Sequence, residues 1–265
     1  MEKNQFQAPG IESETVEKLT RQLMLANNEL QKMQKERSEM LANISHDLRA
    51  PITAIRSAID LLLSSVDTSP EDLNATLQII DRRTKTLENM IQDMYYLFCV
   101  EDTSRELELS TLHAASLLEE YFFDISIDTR YENHDLQLDL PEDMDCFIQV
   151  DTQKLIRVLD NLFTNAAKYT PAGSTITLKA RLESSKLVVS VIDSGEGIPP
   201  EAVERLFQRT YTVSSARTPG SATGSGLGLA IVKAIMERFG GSVTCESEIG
   251  VGTTFTLTIP LARTL

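Results

Sequence analysis

Asn43-Ile44-Ser45-His46-Asp47-Leu48-Arg49-Ala50-Pro51 sets one of the chain's three histidines inside a run of apolar residues at helical spacing. Ile44, Leu48, Ile52, Ile55, Ile59, Leu62 and Val66 recur at steps of three and four, which mark one buried stripe of a helix. Two residues turn a helix by about 200°. His46, two residues from both Ile44 and Leu48, therefore points away from the stripe and toward solvent. An imidazole there, beside the Asp47 carboxylate, is a candidate nucleophile with its own orienting group. Read without its neighbours, the same ring is a solvated surface histidine.

Upstream, Val16, Leu19, Leu23, Ala26, Leu30, Met33, Arg37, Met40 and Ile44 alternate steps of three and four, the a/d spacing of a coiled coil. Arg37 weakens the seam locally. Held over about four heptads, this period favours dimerisation over a lone amphipathic helix. At Leu48 the seam slips by one residue, beside His46 and Pro51. Pro51 removes a backbone donor and is expected to kink the helix. Residues 1–12 are polar, with Pro9-Gly10 as a breaker, and are expected to be disordered.

Downstream, the first helix should end near Val66, and Ser69-Pro70 reads as the cap and first position of the next. A second stripe, Leu73, Leu77, Ile80, Thr84, Leu87, Ile91, Met94 and Phe98, runs to about residue 99. Two helices joined by a short turn make an antiparallel hairpin, which covers both stripes only when two copies form a four-helix bundle. An obligate homodimer is expected.

Residues 101–109 are charged and read as a linker. Beyond them the pattern is mixed. Helices are expected over Ser110–Phe123, from an Asp151 cap through Tyr169, over Pro199–Phe207 and over Gly228–Phe239. Strands are expected at Leu136–Leu140, Cys146–Val150, Ser242–Glu246 and Thr253–Leu261, with a hairpin of Thr175–Glu183 and Lys186–Ile192. Residues 208–225, rich in Ser, Thr and Gly, read as a mobile loop. The whole is an α+β chain of two domains, the second an α/β sandwich with helices on one face of a sheet.

Several function classes are excluded. The net charge of −14, from 25 basic and 39 acidic residues, opposes binding to a nucleic-acid backbone. Cys99, Cys146 and Cys245 form no CxxC pair, so neither a zinc site nor a disulfide framework is suggested. No run approaches the about 20 apolar residues of a membrane span, and the N-terminus has no signal-peptide core. A cytoplasmic location is expected, which is compatible with a membrane-bound sensor upstream.

Four features of the second domain carry chemistry. Asn161 and Asn165 lie one helical turn apart, followed by Lys168: amide oxygens suit a hard cation that already holds phosphates, and the lysine is a point charge for phosphate. Asp193, at a strand end and followed by Gly195 and Gly197, could accept a hydrogen bond from an exocyclic amine while the glycines let a flat base approach. Gly224-Ser225-Gly226-Leu227-Gly228 opens a helix whose bare N-terminal amides favour an anion. Arg209 and Arg217 sit in a loop whose composition suits a lid.

In this order the motifs resemble the transmitter core of sensor histidine kinases, from about residue 35 to 262. SHDLRAPI looks like that family's H box, NLFTNAAKYTP its N box, DSGEGIP its G1 box, LFQRTY its F box and GSGLGLAIV its G2 box. The heptad seam gives a coiled-coil signalling helix over 13–40, and the resemblance implies a dimerisation and phosphotransfer hairpin over 41–100 and an ATP-binding domain of the gyrase, chaperone and histidine-kinase type over 107–265. It implies ATP and Mg²⁺ as cofactors and the receiver domain of a response regulator as partner.

By the same resemblance His46 attacks the γ-phosphate and Asp47 fixes the attacking tautomer. Asn161 and Asn165 serve the metal, Lys168 the phosphates, and Tyr169 lines the pocket. Asp193 reads the adenine amine, with Gly195 and Gly197 giving access. Gly224, Gly226, Leu227 and Gly228 form the lid hinge and phosphate cradle, with Arg209 and Arg217 as γ-phosphate contacts. Related ATPases place a water-activating Glu where this chain has Asn161, which disfavours a gyrase-type clamp. A dimeric nucleotide-binding scaffold without transfer is the other alternative, kept by the F box, where Thr210 and Thr212 replace the usual aromatic and Arg. Ala50 stands where the family often has Thr or Asn to orient a water, so weak phosphatase activity is expected.

Overall fold

The computed structural model describes residues 10–64, 69–208, 211 and 226–262. They fall into two compact units, residues 1–50 and 51–265. The first unit is the N-terminal part of one long helix, α1 (Gly10–Ser64), which continues through Pro51. Gly10, Ile11 and Glu12 are helical where disorder was expected, continuous with the helix that follows. Residues 1–9 and the expected helix end at Val66 lie outside the described residues. Val16, Leu19, Leu23, Leu30 and Met33, the seam of the proposed coiled coil, are all exposed in the single chain.

Helix α2 (Pro70–Glu101) begins as its sequence requires. The Ser69 Oγ accepts the Asp72 N–H at 3.1 Å, and Pro70 occupies the first turn, where no intrahelical partner is lost. Its C-terminal end is held by the domain that follows. Leu97 and Val100 are fully buried. Arg238 donates to the carbonyls of Val100 (3.1 Å), Asp102 (3.3 Å) and Arg105. Arg157 pairs with Asp93 at 2.5 Å and lies over the Tyr96 ring, 5.5 Å from its centroid.

The remaining elements are β1 (Ser110–His113), α3 (Ala114–Ser126), β2 (Asp135–Asp139), β3 (Phe147–Val150), α4 (Thr152–Tyr169), β4 (Thr175–Glu183), β5 (Lys186–Asp193), α5 (Pro200–Val203), α6 (Gly228–Arg238), β6 (Ser242–Glu248) and β7 (Gly252–Pro260). Strands run β2-β4-β5-β7-β6 in one mixed sheet, with only the β2–β4 pair parallel. A separate ribbon pairs β1 with β3. The helix expected over Ser110–Phe123 is therefore corrected. Ser110–His113 pairs antiparallel with Phe147–Val150, and the helix starts at Ala114, capped by the His113 ring. The short helix expected over Pro199–Phe207 is helical only over Pro200–Val203 and continues as turns.

Helices α4 and α6 pack on one face of the sheet. On α4 the stripe Leu155, Val158, Leu159, Leu162, Phe163 and Ala166 is buried; on α6 it is Ala230, Ile231, Val232, Ile235 and Met236. Opposite them, the three inner strands bury Ile176, Leu178 and Ala180 of β4, Leu187, Val189 and Val191 of β5, and Phe255, Leu257 and Ile259 of β7; Val188 and Ser190 of β5 are buried as well. Register brings Ile176, Asp193 and Thr253 into one cross-strand row at the end of this face. A carboxylate thus terminates an otherwise apolar surface.

Candidate functional site

His46 belongs to the first unit. Its side chain is 72% exposed, so the ring faces solvent as the helical spacing requires. Its Nδ1 lies 3.3 Å from Asp47 Oδ1. With Nδ1 as the protonated nitrogen donating to that carboxylate, Nε2 carries the free lone pair.

The remaining described candidates belong to the second unit and come from three segments. Asp151 caps α4 by accepting the Lys154 N–H at 3.2 Å, and the helix then carries Asn161 and Asn165, both half-buried, one turn apart. Asn161 Nδ2 donates to the Arg157 carbonyl at 2.9 Å, which orients its Oδ1. The α6 N-terminus approaches that oxygen: a Cβ on Gly228 would lie 2.8 Å from Asn161 Oδ1. Lys168 lies over the Tyr169 ring at 4.8 Å, with both residues exposed at the helix end.

Asp193 is buried at the end of β5 and accepts the Gly195 N–H at 2.9 Å. Burial pushes its carboxyl above the ordinary range, and the backbone N–H groups of Gly195 and Thr253 oppose that rise. Gly195 is a close-approach glycine: a Cβ there would lie 2.5 Å from the Tyr169 carbonyl and 2.8 Å from Asp193 Oδ1. So the end of α4, the end of β5 and the segment after it meet at one place. Gly226, at φ +68°, turns the chain into α6, and Leu227 is buried beneath it. The N-cap residue Leu227 makes no side-chain cap to α6, and a helix N-terminus favours an anion. Arg209, Arg217 and Gly224, together with Thr210 and Thr212, lie outside the described residues.

Gly197 serves the backbone. It sits at φ +73°, and a Cβ would fall 2.1 Å from the Glu248 carbonyl oxygen in the β6–β7 turn. Gly197→Ala is therefore expected to destabilise the domain by roughly 3 kcal/mol, about 1–2 from the left-handed conformation and about 1–3 from overlap. Thermal unfolding checks this against Gly173→Ala, which has φ +83° but open space around it and should lose only the conformational part.

Two residues of this site were not among the sequence candidates. Thr253 lies directly opposite Asp193 on β7 and gives it a backbone N–H. Thr170, the residue after α4, is buried with its hydroxyl beside Asp193 and Gly195. The one sequence signal for Thr253 is the Gly250-Val251-Gly252 turn before it, which is legible only once β7 is paired with β5.

Among the described residues no cluster of three or more His, Cys, Asp or Glu forms a metal cage. A cation here would take amide oxygens, such as Asn161 Oδ1, and the oxygens of a bound phosphate. That donor set fits Mg²⁺, which takes hard oxygen ligands and keeps part of its water.

A family model described as "His Kinase A (phospho-acceptor) domain" matches residues 36–102, and one described as "Histidine kinase-, DNA gyrase B-, and HSP90-like ATPase" matches 150–263. The chain is 33% identical over 238 residues to sensor histidine kinase WalK of Bacillus subtilis, covering 88% of this chain and 38% of WalK. It is 31% identical over 240 residues to sensor protein SrrB of Staphylococcus aureus, covering 89% and 40%. It thus spans about two-fifths of the length of these curated relatives. Histidine kinase ThkA, solved in complex with response regulator protein TrrA, superposes with a TM-score of 0.67 at 27% identity, over 84% of this chain and 61% of that one. Histidine kinase AdeS of Acinetobacter baumannii shares the fold, with a TM-score of 0.64 at 22% identity over 82% and 98%.

Proposed function

Because the chain belongs to the histidine kinase family, as the transmitter core of a sensor, we propose that it phosphorylates His46 from ATP and passes the phosphoryl group to an aspartate of a response-regulator receiver domain. The observation that carries this reading is the exposed His46 ring, its Nδ1 facing Asp47, on the helix that the phospho-acceptor model matches. The gyrase-type ATPase reading is the weaker one, since Asn161 is an amide and takes no proton from water.

In the proposed step the Nε2 lone pair forms a bond to the γ-phosphorus, and the bond from that phosphorus to the β,γ-bridging oxygen breaks to release ADP. The Nδ1 proton lies toward Asp47, whose negative charge offsets the developing imidazolium. In the second step a receiver carboxylate oxygen attacks the same phosphorus, the N–P bond breaks, and an acyl phosphate forms. Phosphoryl transfer asks mainly for positioning and charge neutralisation. Asp193 would accept the base's exocyclic amine, and Gly195 beside it would leave the base room, whereas Gly197 is taken up by its approach to the Glu248 carbonyl. Lys168 and the α6 N-terminus, with Gly224, Gly226, Leu227 and Gly228, would hold phosphates. Asn161 and Asn165 would hold Mg²⁺, which when bound neutralises phosphate charge. Tyr169 would line the pocket, and Arg209 and Arg217 would reach the γ-phosphate from the lid.

The reading assigns 13–40 to a signalling helix, 41–100 to the dimerisation and phosphotransfer hairpin and 107–265 to ATP binding. A homodimer is supported by the row of exposed apolar residues on α1 and by Leu73, Leu77 and Ile91 on α2, which a single chain leaves in water. A cytoplasmic position, as the inner part of a membrane-bound sensor, accords with the described helices, none of which is long and apolar enough to cross a membrane.

Incubation with γ-labelled ATP tests the proposal: label on the protein that survives alkali and is lost in acid is expected of a phosphoramidate. Ala50, one turn after His46, has no group to orient a water against a phosphorylated partner. Ala50→Thr is therefore expected to raise dephosphorylation of the phosphorylated regulator by about 10-fold or more, within the range of a positioned catalytic group. An unchanged rate would count against this account of the position.

A further inference from the structure

Thr170 ends α4 in extended conformation, and its side chain turns inward. The residue is 6% exposed, yet among the described residues its Oγ1 has no hydrogen-bond partner. An unpaired buried hydroxyl is costly, and native folds keep few of them without a use. Its surroundings say what that use is. A Cβ on Gly195 would lie 3.0 Å from Thr170 Oγ1, 2.8 Å from Asp193 Oδ1 and 2.5 Å from the Tyr169 carbonyl oxygen. Three oxygens therefore border the bare face of one glycine. The hydroxyl is close enough to Asp193 to favour its charged form, without closing a bond of ordinary geometry.

The neighbouring acceptors each hold backbone donors, and the Asp193 carboxylate keeps capacity for more. Asp193 takes backbone N–H groups from Gly195 and Thr253, and the Tyr169 carbonyl takes the Glu196 N–H at 3.3 Å. The Thr170 hydroxyl is a donor without a partner among the described residues, at the place where Asp193 would accept an exocyclic amine. An aminopurine edge offers that combination: an amine that donates, flanked by ring nitrogens that accept.

We propose that Thr170 is a further nucleotide-positioning residue, whose hydroxyl donates, directly or through one water, to a ring nitrogen flanking the amine that Asp193 binds. The inference rests on the ATP reading of the site and adds a second point of contact to the base. Together the two groups select adenine over guanine, whose corresponding edge carries a carbonyl in place of the amine. Such a pairing adds specificity because a mismatched base leaves buried polar groups unpaired.

The test is a cycle between protein and ligand, read as the Kd of the whole chain by calorimetry. Thr170→Val removes the hydroxyl at nearly constant shape, and ATP affinity is expected to fall about tenfold, the scale of one net hydrogen bond. Thr170→Ser should bind close to wild type. ATP analogues lacking the N1 or the N7 ring nitrogen should bind wild type more weakly. For the one that lacks the contacted nitrogen, Thr170→Val should cause no further loss. Equal losses of Thr170→Val for ATP and both analogues would mean a merely structural role and overturn the proposal, as would an unchanged Kd for ATP. Wild-type chain that binds no ATP would instead overturn the reading of the site itself.

Discussion

His46→Gln is expected to abolish incorporation of label from γ-labelled ATP while leaving ATP binding unchanged. Glutamine keeps a polar side chain of similar reach, and His46 is 72% exposed, so the fold has little reason to notice the change. What is lost is the nucleophile: an amide nitrogen has no available lone pair, whereas a neutral imidazole is nucleophilic near pH 7. The two halves of the result matter together. Binding measured alongside labelling separates loss of the acceptor from loss of the donor site, because His46 lies in the first unit and the residues proposed to hold the nucleotide in the second. Full labelling of His46→Gln would move the acceptor elsewhere in the chain.

Asp193→Asn is expected to weaken ATP binding by roughly 100-fold, and with it the labelling at limiting ATP. A hydrogen bond to a charged group contributes about 1.5–3 kcal/mol, and the amide would turn a donor toward the base's own donor, leaving both unpaired. The same carboxyl gives the binding a pH dependence. Burial raises its pKa above the ordinary value of 3.8. The ionised form is the better acceptor, so ATP affinity should fall on acidification while the pH is still above the ordinary aspartate range. In Asp193→Asn the residual binding should not show that fall. For the ligand-free fold the sign is opposite. Between the ordinary and the raised pKa the folded chain keeps a proton that the unfolded chain has lost, so this group's contribution to stability decreases as the pH rises through that window. Equal ATP affinity in Asp193→Asn would remove Asp193 from the site.

What could be read from the chain was what is local. The Ser69 and Asp151 caps and the hairpin of Thr175–Glu183 and Lys186–Ile192 each depend on a few neighbouring residues, and all are present. The exposure of His46 follows from helical spacing alone. What was missed depends on distant pairing. Ser110–His113 looks like the first turn of a helix, but Phe147–Val150 supplies a partner strand that periodicity does not reveal. Thr253 has no motif of its own, and Thr170 lies within the NLFTNAAKYTP stretch without a role that its spacing indicates. They acquire meaning when β7 lies beside β5 and the end of α4 lies over Gly195. The contacts that hold α2 to the ATP-binding elements, Asp93 with Arg157 and Arg238 with the Val100 carbonyl, span 64 and 138 residues and are equally silent in the sequence.

The central claim is that an exposed imidazole on a long helix takes the phosphoryl group from a nucleotide held by the C-terminal domain. Mapping that phosphoryl group by mass spectrometry, on chain incubated with MgATP and kept at alkaline pH throughout, addresses it directly. The account predicts a single modified peptide with the phosphoryl group on the His46 ring. Modification of a serine, threonine or aspartate, or an unmodified chain under conditions where ATP is bound, would contradict it.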